Sequence, residues 1–162
     1  MASAGLAAKS PEWVESTKAK IREAFDLFDT SKSGAIIQEE VGTVMRALGS
    51  YPAERDLVLT YIPTMQDDEP TNFVGFEKFE KFMLNNLATR ECEPDSSDML
   101  LQAFRTIDSD NQGYISAEIL EALLTSKGTA FRTKELEAFL LVAKNVETGN
   151  IFYEDYVALL SR

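Results

Sequence analysis

The 162-residue sequence predicts an all-α fold of two lobes, in which four helix-loop-helix units pair two by two through short β-ribbons. Apolar residues recur at three- and four-residue spacing on both sides of each polar loop, which is typical of amphipathic helices. A branched apolar residue occupies the same place in each loop, at intervals of 38, 41 and 36 residues, and these residues are Ile36, Val74, Ile115 and Ile151. The pair Ala24-Phe25 before the first loop returns as Ala103-Phe104 before the third, 79 residues later. A repeat of this period predicts two paired units in each half of the chain.

The first pair of units is expected at residues 11–88, after a flexible N-terminal extension at residues 1–10. Pro11 suits the first turn of a helix, where its missing N–H costs no hydrogen bond. Gly49 ends the helix that follows the first loop. Pro63 is expected to break the next helix, because the proline ring clashes with the preceding turn.

The second pair of units is expected at residues 98–162, after a polar linker at residues 89–97. Cys92 falls in that linker, where we interpret it as a linker residue and not as a nucleophile, since its neighbours are acidic. Gly128 ends the helix after the third loop, and Thr133 is expected to cap the helix that follows.

The charge of the chain favours basic partners. Sixteen basic residues stand against 27 acidic ones, a net charge of -11. Residues 1–89 contribute 9 basic and 14 acidic residues, and the remainder 7 and 13, so that both halves are acidic. Such a field repels phosphate backbones, and we therefore expect no nucleic-acid partner.

Several function classes are disfavoured by what the sequence does not contain. It contains no His, which excludes Ser-His and Cys-His catalysis and removes the commonest ligand of transition metals. We expect no enzymatic activity. One Cys cannot form an internal disulfide, which favours an intracellular location. No apolar run approaches the roughly 18 residues that would span a bilayer, so no membrane partner is expected.

The four loops resemble the 12-residue calcium loops of EF-hands, which carry oxygen ligands at positions 1, 3, 5, 7 and 9 and a bidentate Glu at 12. They are loop one (Asp29 to Glu40), loop two (Asp67 to Lys78), loop three (Asp108 to Ile119) and loop four (Lys144 to Asp155). Loops one and three keep most oxygen positions. Their candidate metal ligands are Asp29, Ser31, Ser33, the Ala35 carbonyl and Glu40 in loop one, and Asp108, Asp110, Gln112, the Tyr114 carbonyl and Ser116 in loop three.

Each loop also departs from the motif. Position 12 is Ile119 in loop three and Lys78 in loop two, and loop four begins with Lys144. Asn72 replaces Gly at position 6 of loop two, where we expect it to adopt the left-handed turn. We therefore expect no required cofactor, and calcium binding that is weak, about 10⁻⁴ M or weaker. The interpretation that we favour over calcium binding is that the loops only join helices, with Asp29 and Asp108 capping the backbone.

Residues 18–160 resemble the calmodulin and myosin-light-chain superfamily of EF-hand proteins, most clearly in Ala24–Asp29 and in Asp108–Ala117. A narrower likeness lies in Arg46–Gly49 followed by Pro52, and in the Pro70-containing loop two that ends in Lys78. These features are similar to the EF-hand subunits (subunit 8) of the axonemal nexin-dynein regulatory complex. The resemblance implies a non-catalytic regulatory subunit in the axoneme of a cilium or flagellum.

The same resemblance implies a protein partner. We expect the two acidic lobes to clamp a basic amphipathic or IQ-like helix of a cytoskeletal assembly, largely independently of calcium. Candidate groove residues are Phe25, Met45, Met65, Phe79 and Met83 in the first lobe, and Met99, Phe104, Leu124, Phe139 and Leu159 in the second. The alternatives are a myosin-type light chain and a weak calcium sensor that acts through loop one.

Overall fold

A computed structural model describes residues 4–161. The chain divides between Pro94 and Asp95 into two compact units, called here the first lobe and the second lobe. Each lobe consists of helices and one two-stranded antiparallel ribbon.

The first lobe contains the two helix-loop-helix units that the sequence predicts, preceded by one additional short helix. Its elements are α1 (Ala4–Ala7), α2 (Pro11–Phe28), β1 (Ala35–Ile37), α3 (Gln38–Ala47), α4 (Glu54–Asp56), a π-helical turn (Leu57–Tyr61), α5 (Ile62–Thr64), β2 (Phe73–Gly75) and α6 (Phe76–Thr89). The elements of the second lobe are α7 (Ser97–Ile107), β3 (Ile115–Ser116), α8 (Ala117–Ser126), α9 (Thr133–Ala143), β4 (Asn150–Ile151) and α10 (Tyr153–Leu160).

The ribbons pair in the predicted register. Ile36 lies opposite Val74, and Ile115 lies opposite Ile151, so the branched residue at position 8 of each loop meets its counterpart. All four side chains are buried, which anchors both loops of a lobe to the same core.

The first lobe has a closed core. Ile21 and Phe25 of α2 are fully buried, and the Phe25 ring lies 5.2 Å from Phe76 and 5.3 Å from Phe79 of α6. The entry helix of loop one and the exit helix of loop two therefore pack tightly against each other.

The N-terminal extension differs from the prediction. Residues 1–3 lie outside the described part of the chain, but Ala4–Ala7 forms a short helix that packs on α6 where a flexible segment was expected. A side chain at Gly5 would come within 2.7 Å of Thr89, so the close approach depends on the glycine.

Two helix boundaries also differ from the prediction. Pro63 does not break its helix, because the wider π-helical turn before it, closed by the Ile62 N–H on the Leu57 carbonyl, leaves room for the ring. Thr133 is the first residue of α9 and not its cap. The backbone N–H of Arg132 is instead satisfied by the Glu135 carboxylate at 2.8 Å.

The predicted linker is attached to the first lobe at Cys92. Its carbonyl accepts a 2.7 Å hydrogen bond from the Tyr51 N–H, and its buried thiol lies 3.3 Å from the Asn86 amide nitrogen. Along residues 4–161, no helix combines the length and the apolar character that a membrane crossing requires.

Candidate functional site

Loop one is organised around the Asp29 carboxylate. One oxygen accepts the Ser33 N–H at 2.9 Å and the hydroxyls of Ser31 and Ser33 at 3.3 and 3.2 Å, and the other accepts the Gly34 N–H at 2.7 Å. The Ser33 hydroxyl also lies 3.3 Å from the Ala35 carbonyl. Four of the five candidate ligands in this loop are thus joined to one another by hydrogen bonds.

The charge of Asp29 is stabilised by these donors. Burial alone would raise the pKa of Asp29, but the hydrogen bonds from Gly34, Ser33 and Ser31 together outweigh it and hold the pKa below the usual value. The interpretation of Asp29 as a backbone cap is confirmed by this geometry, while Glu40 at position 12 is half-buried on α3.

In loop two the ammonium group of a lysine contacts the carboxylate at position 1, which in an EF-hand would contact the ion. The Lys78 ammonium at position 12 lies 2.5 Å from the Asp67 carboxylate at position 1 and 2.6 Å from the Gln66 carbonyl. The expectation for Asn72 is wrong, since its φ is not left-handed. The turn is closed instead by the Gln66 side chain, which accepts the Thr71 N–H at 2.9 Å.

In loop three, as in loop one, the aspartate at position 1 accepts backbone N–H groups of its own loop. It also accepts a hydrogen bond from the other helix-loop-helix unit of the second lobe. Asp108 accepts the Gln112 N–H at 3.0 Å and the Gly113 N–H at 2.8 Å. Its second oxygen also accepts the hydroxyl of Tyr153, at 3.0 Å, from the start of α10. Burial would raise the pKa of Asp108, but these three hydrogen bonds outweigh it and lower the pKa.

The remaining candidate ligands of loop three surround a small cavity. Its volume is about 220 Å³, and Ile119 lines it at position 12 together with residues of positions 1, 3, 5, 7 and 9. The Ser116 hydroxyl accepts the Ile119 N–H at 3.3 Å and so caps α8. A calcium ion in this cavity would meet hydrocarbon where the motif needs two carboxylate oxygens.

Loop four is organised by an amide side chain. The Asn145 oxygen accepts the N–H groups of Glu147 and Thr148, each at 3.0 Å, and the Thr148 hydroxyl at 3.1 Å. This Asx-type turn shapes the loop without a carboxylate at position 1, which is Lys144.

The oxygen donors at the ligand positions of each loop determine how well that loop fits calcium. Loops two, three and four do not fit it, because they carry Lys78, Ile119 and Lys144 at positions that need oxygen. Loop one keeps carboxylates at positions 1 and 12, which is a low ligand charge for this ion. Among the described residues, no three acidic or cysteine side chains gather closely enough to hold a metal.

The first-lobe groove residues are core residues in this structure. Phe25, Met45, Met65, Phe79 and Met83 are each at most 2% exposed. A helix could reach them only if the lobe opened, so the structure does not present them as a contact surface.

The second lobe is less tightly closed. Helix α7 contributes no buried residue, and Phe104, Leu124 and Phe139 are half-buried around the small core of the lobe. Leu159 is 46% exposed and lines a cavity of about 220 Å³ next to Tyr156. Met99 is 57% exposed and does not belong to this cluster.

Sequence reasoning missed Tyr156 and Tyr153. The Tyr156 ring lies 5.5 Å from Phe139 and 6.2 Å from Phe104, so it joins the two aromatic candidates. The i, i+3 spacing of the two tyrosines on α10 was the available signal. The candidate partner surface of the second lobe, hereafter the second-lobe groove, is the set Phe104, Leu124, Phe139, Tyr156 and Leu159.

Four helix-loop-helix units are paired by ribbons in two lobes, and three of their loops turn at a left-handed glycine, namely Gly34, Gly113 and Gly149. This arrangement defines an EF-hand protein of the calmodulin type. A family model described as an EF-hand domain matches residues 20–49. The solved structure of the Physarum polycephalum myosin II regulatory domain superposes with a TM-score of 0.70 and 25% identity, over 88% of this chain and 93% of that one.

Relatives of similar length show to which family of EF-hand proteins the chain belongs. Dynein regulatory complex protein 8 of Mus musculus is 33% identical over 87% of this chain and 85% of its own, and that of Chlamydomonas reinhardtii is 35% identical over 91% and 92%. The myosin-2 essential light chain of Drosophila melanogaster is 32% identical over 91% and 96%. The chain belongs to the EF-hand family that includes dynein regulatory complex protein 8 and the myosin light chains.

Proposed function

We propose that the protein is a non-catalytic adaptor subunit of the nexin-dynein regulatory complex, located in the axoneme of cilia or flagella. The relatives named dynein regulatory complex protein 8 support this assignment over most of their length. The Pro70-containing loop two, ended by Lys78, supports it as well, because it is one of the stretches in which the sequence resembles the regulatory-complex subunits.

The observation that carries the adaptor role is the second-lobe groove. Partly buried aromatic and aliphatic side chains in one cluster, together with the exposed Leu159, cost free energy in water and favour a surface that a partner covers. Residues 90–162 carry 7 basic and 13 acidic residues, so a partner with one apolar and one basic face suits the groove. The occupant is a basic amphipathic helix, and the closed first lobe contributes little to its capture.

Calcium is not needed for this binding. The groove residues are only partly buried, in a lobe whose loops lack the ligand set of a calcium sensor, so binding there does not require an ion to open the lobe. Loop one is the one place where weak binding, about 10⁻⁴ M or weaker, fits the donor set.

The tagged full-length chain, incubated with extracts of isolated axonemes, tests the proposal. In excess chelator it should capture subunits of the nexin-dynein regulatory complex, and calcium should leave the amount captured unchanged. Capture that requires calcium would contradict the calcium-independent binding.

A myosin-type light chain is the second candidate, favoured by the 32% identity to the essential light chain. Recovery of a myosin heavy chain from a whole-cell extract, without regulatory-complex subunits, would move the assignment to that class.

A further inference from the structure

Tyr153 connects the two units of the second lobe at a buried point. Its hydroxyl donates to the second carboxylate oxygen of Asp108 at 3.0 Å, and the two residues are 3% and 6% exposed. Its ring stacks on Phe104 of α7 with the centroids 5.7 Å apart and the planes within 3°. One side chain at the start of α10 therefore holds both the end of α7 and the first position of loop three.

This hydrogen bond joins the position-1 carboxylate of the loop to a helix, as a bound ion does in an EF-hand. A bound calcium ion joins the carboxylate at position 1 to the glutamate at position 12 and thereby fixes the two helices of the unit. Ile119 cannot complete that link in loop three. The buried Asp108 carboxylate accepts two backbone N–H groups of its own loop, and a third donor from α10 further offsets the cost of burying its charge.

Loop two offers a parallel case in the first lobe. Its Lys78 ammonium joins position 12 to the Asp67 carboxylate at position 1, as a cation fixed to the chain. The Asp67 side chain is 83% exposed and Lys78 is 39% exposed, so this pair contributes little to stability. The buried Tyr153 bond therefore carries the inference.

We infer that the Tyr153 hydroxyl takes the place of the ion in loop three, as a permanent link between Asp108 and α10 that sets the second lobe without calcium. Tyr153 is in this sense a positioning residue. It holds Phe104 and α7 beside the groove, and it does not itself contact the partner. The inference rests on the proposed calcium-independent function, and it is tested on the protein alone, so that failure to bind a partner and failure of this link are separate results.

The test compares two variants that delete the same atom from one helix. Tyr153→Phe removes the hydroxyl that donates to Asp108. Tyr156→Phe removes a hydroxyl that, within the described residues, makes no hydrogen bond, although its ring also contacts Phe104. Hydrogen exchange of the Gln112 and Gly113 amides is measured in the full chain with chelator, and repeated with 1 mM calcium.

Exchange of the two amides should be about tenfold faster in Tyr153→Phe than in the wild type, and within about twofold of the wild type in Tyr156→Phe. Unfolding of the second lobe in Tyr153→Phe alone would support the inference equally, since the control lacks the same atom. Equal rates in the two variants would overturn it. Calcium that slows exchange of these amides about tenfold in the wild type would also overturn it, because loop three would then accept the ion.

Discussion

At the scale of single residues, the first position of an EF-hand loop can ligate an ion and can shape the loop, and in loops one and three of this chain it shapes the loop. Asp29 and Asp108 each accept two backbone N–H groups of their own loop, and each follows the last residue of a helix. These hydrogen bonds shape the loop whether or not an ion is present. An aspartate at this position is therefore not by itself an indication of calcium binding.

The lowered pKa of Asp29 predicts a loss of stability in acid. Because the folded pKa lies below the ordinary value of 3.8, the stabilisation is fully present above that value and is lost as the pH falls through the folded pKa. Asp29→Asn should be less stable than the wild type at pH 7, and this difference should shrink as the pH falls below about 4. Urea unfolding of the full chain in chelator at pH 7, 4 and 3 measures the difference in the free energy of unfolding between the variant and the wild type.

Asp26→Asn is the matched control. Asp26 lies on the same helix, its carboxylate is 58% exposed, and it makes a 3.7 Å contact with Arg22. This variant should keep the wild-type dependence on pH. A difference between Asp29→Asn and the wild type that is constant from pH 7 to 3 would contradict the role given to Asp29.

At the scale of helices and loops, the sequence predicted what depends on periodicity and missed what depends on particular neighbours. The register of both ribbons follows from the position-8 residues, because a slip of one residue would expose every buried side chain. Pro63, Asn72 and Thr133 were misjudged because a π-helical turn, the Gln66 side chain and Glu135 change the local rules. These local contacts depend on the three-dimensional neighbours of each residue, and the conformational preferences of single residues carry no information about them.

Two glycines of the first lobe test the geometry of the loops. Gly34 has a left-handed φ of +78°, whereas Gly75, at the start of α6, has an extended φ of -75°. Added side chains would meet no atom within 4 Å at either site, so the backbone conformation alone distinguishes them. Gly34→Ala should lower the free energy of unfolding by about 1–2 kcal/mol, and Gly75→Ala should change it by less than about 0.5 kcal/mol. Urea unfolding in chelator measures both; equal losses would contradict the left-handed turn at position 6.

At the scale of the whole molecule, the two lobes have the same plan and different degrees of closure. The candidate groove residues were chosen in both lobes by the same apolar spacing, which cannot tell a filled core from an open groove. Phe25 and its first-lobe companions are fully buried, while Phe104 and Phe139 of the second lobe are only partly buried. The difference lies in the packing of α2 and α7 against their lobes, which the periodic pattern does not specify.

Leu159→Ser tests whether the second-lobe groove holds the partner. The leucine is 46% exposed, so its removal should leave the fold intact and weaken partner binding about tenfold, through loss of buried apolar area in the complex. Leu27→Ser is the control, because Leu27 is 73% exposed in the first lobe and should not affect affinity. Titration calorimetry with the partner helix recovered from the axonemal capture measures both. Equal affinities for the two variants would exclude Leu159 from the interface.

A calcium titration of the full-length wild-type chain by calorimetry tests the central claim most directly. Since the loops keep their shape through Asp29, Lys78, Tyr153 and Asn145, we predict no saturable binding below about 10 μM, the range of calcium sensors. Any binding that is detected should be near 10⁻⁴ M or weaker, and Asp29→Ala should abolish it. Saturation of one or more sites below about 10 μM, accompanied by opening of a lobe, would contradict the claim that the lobes are set without calcium.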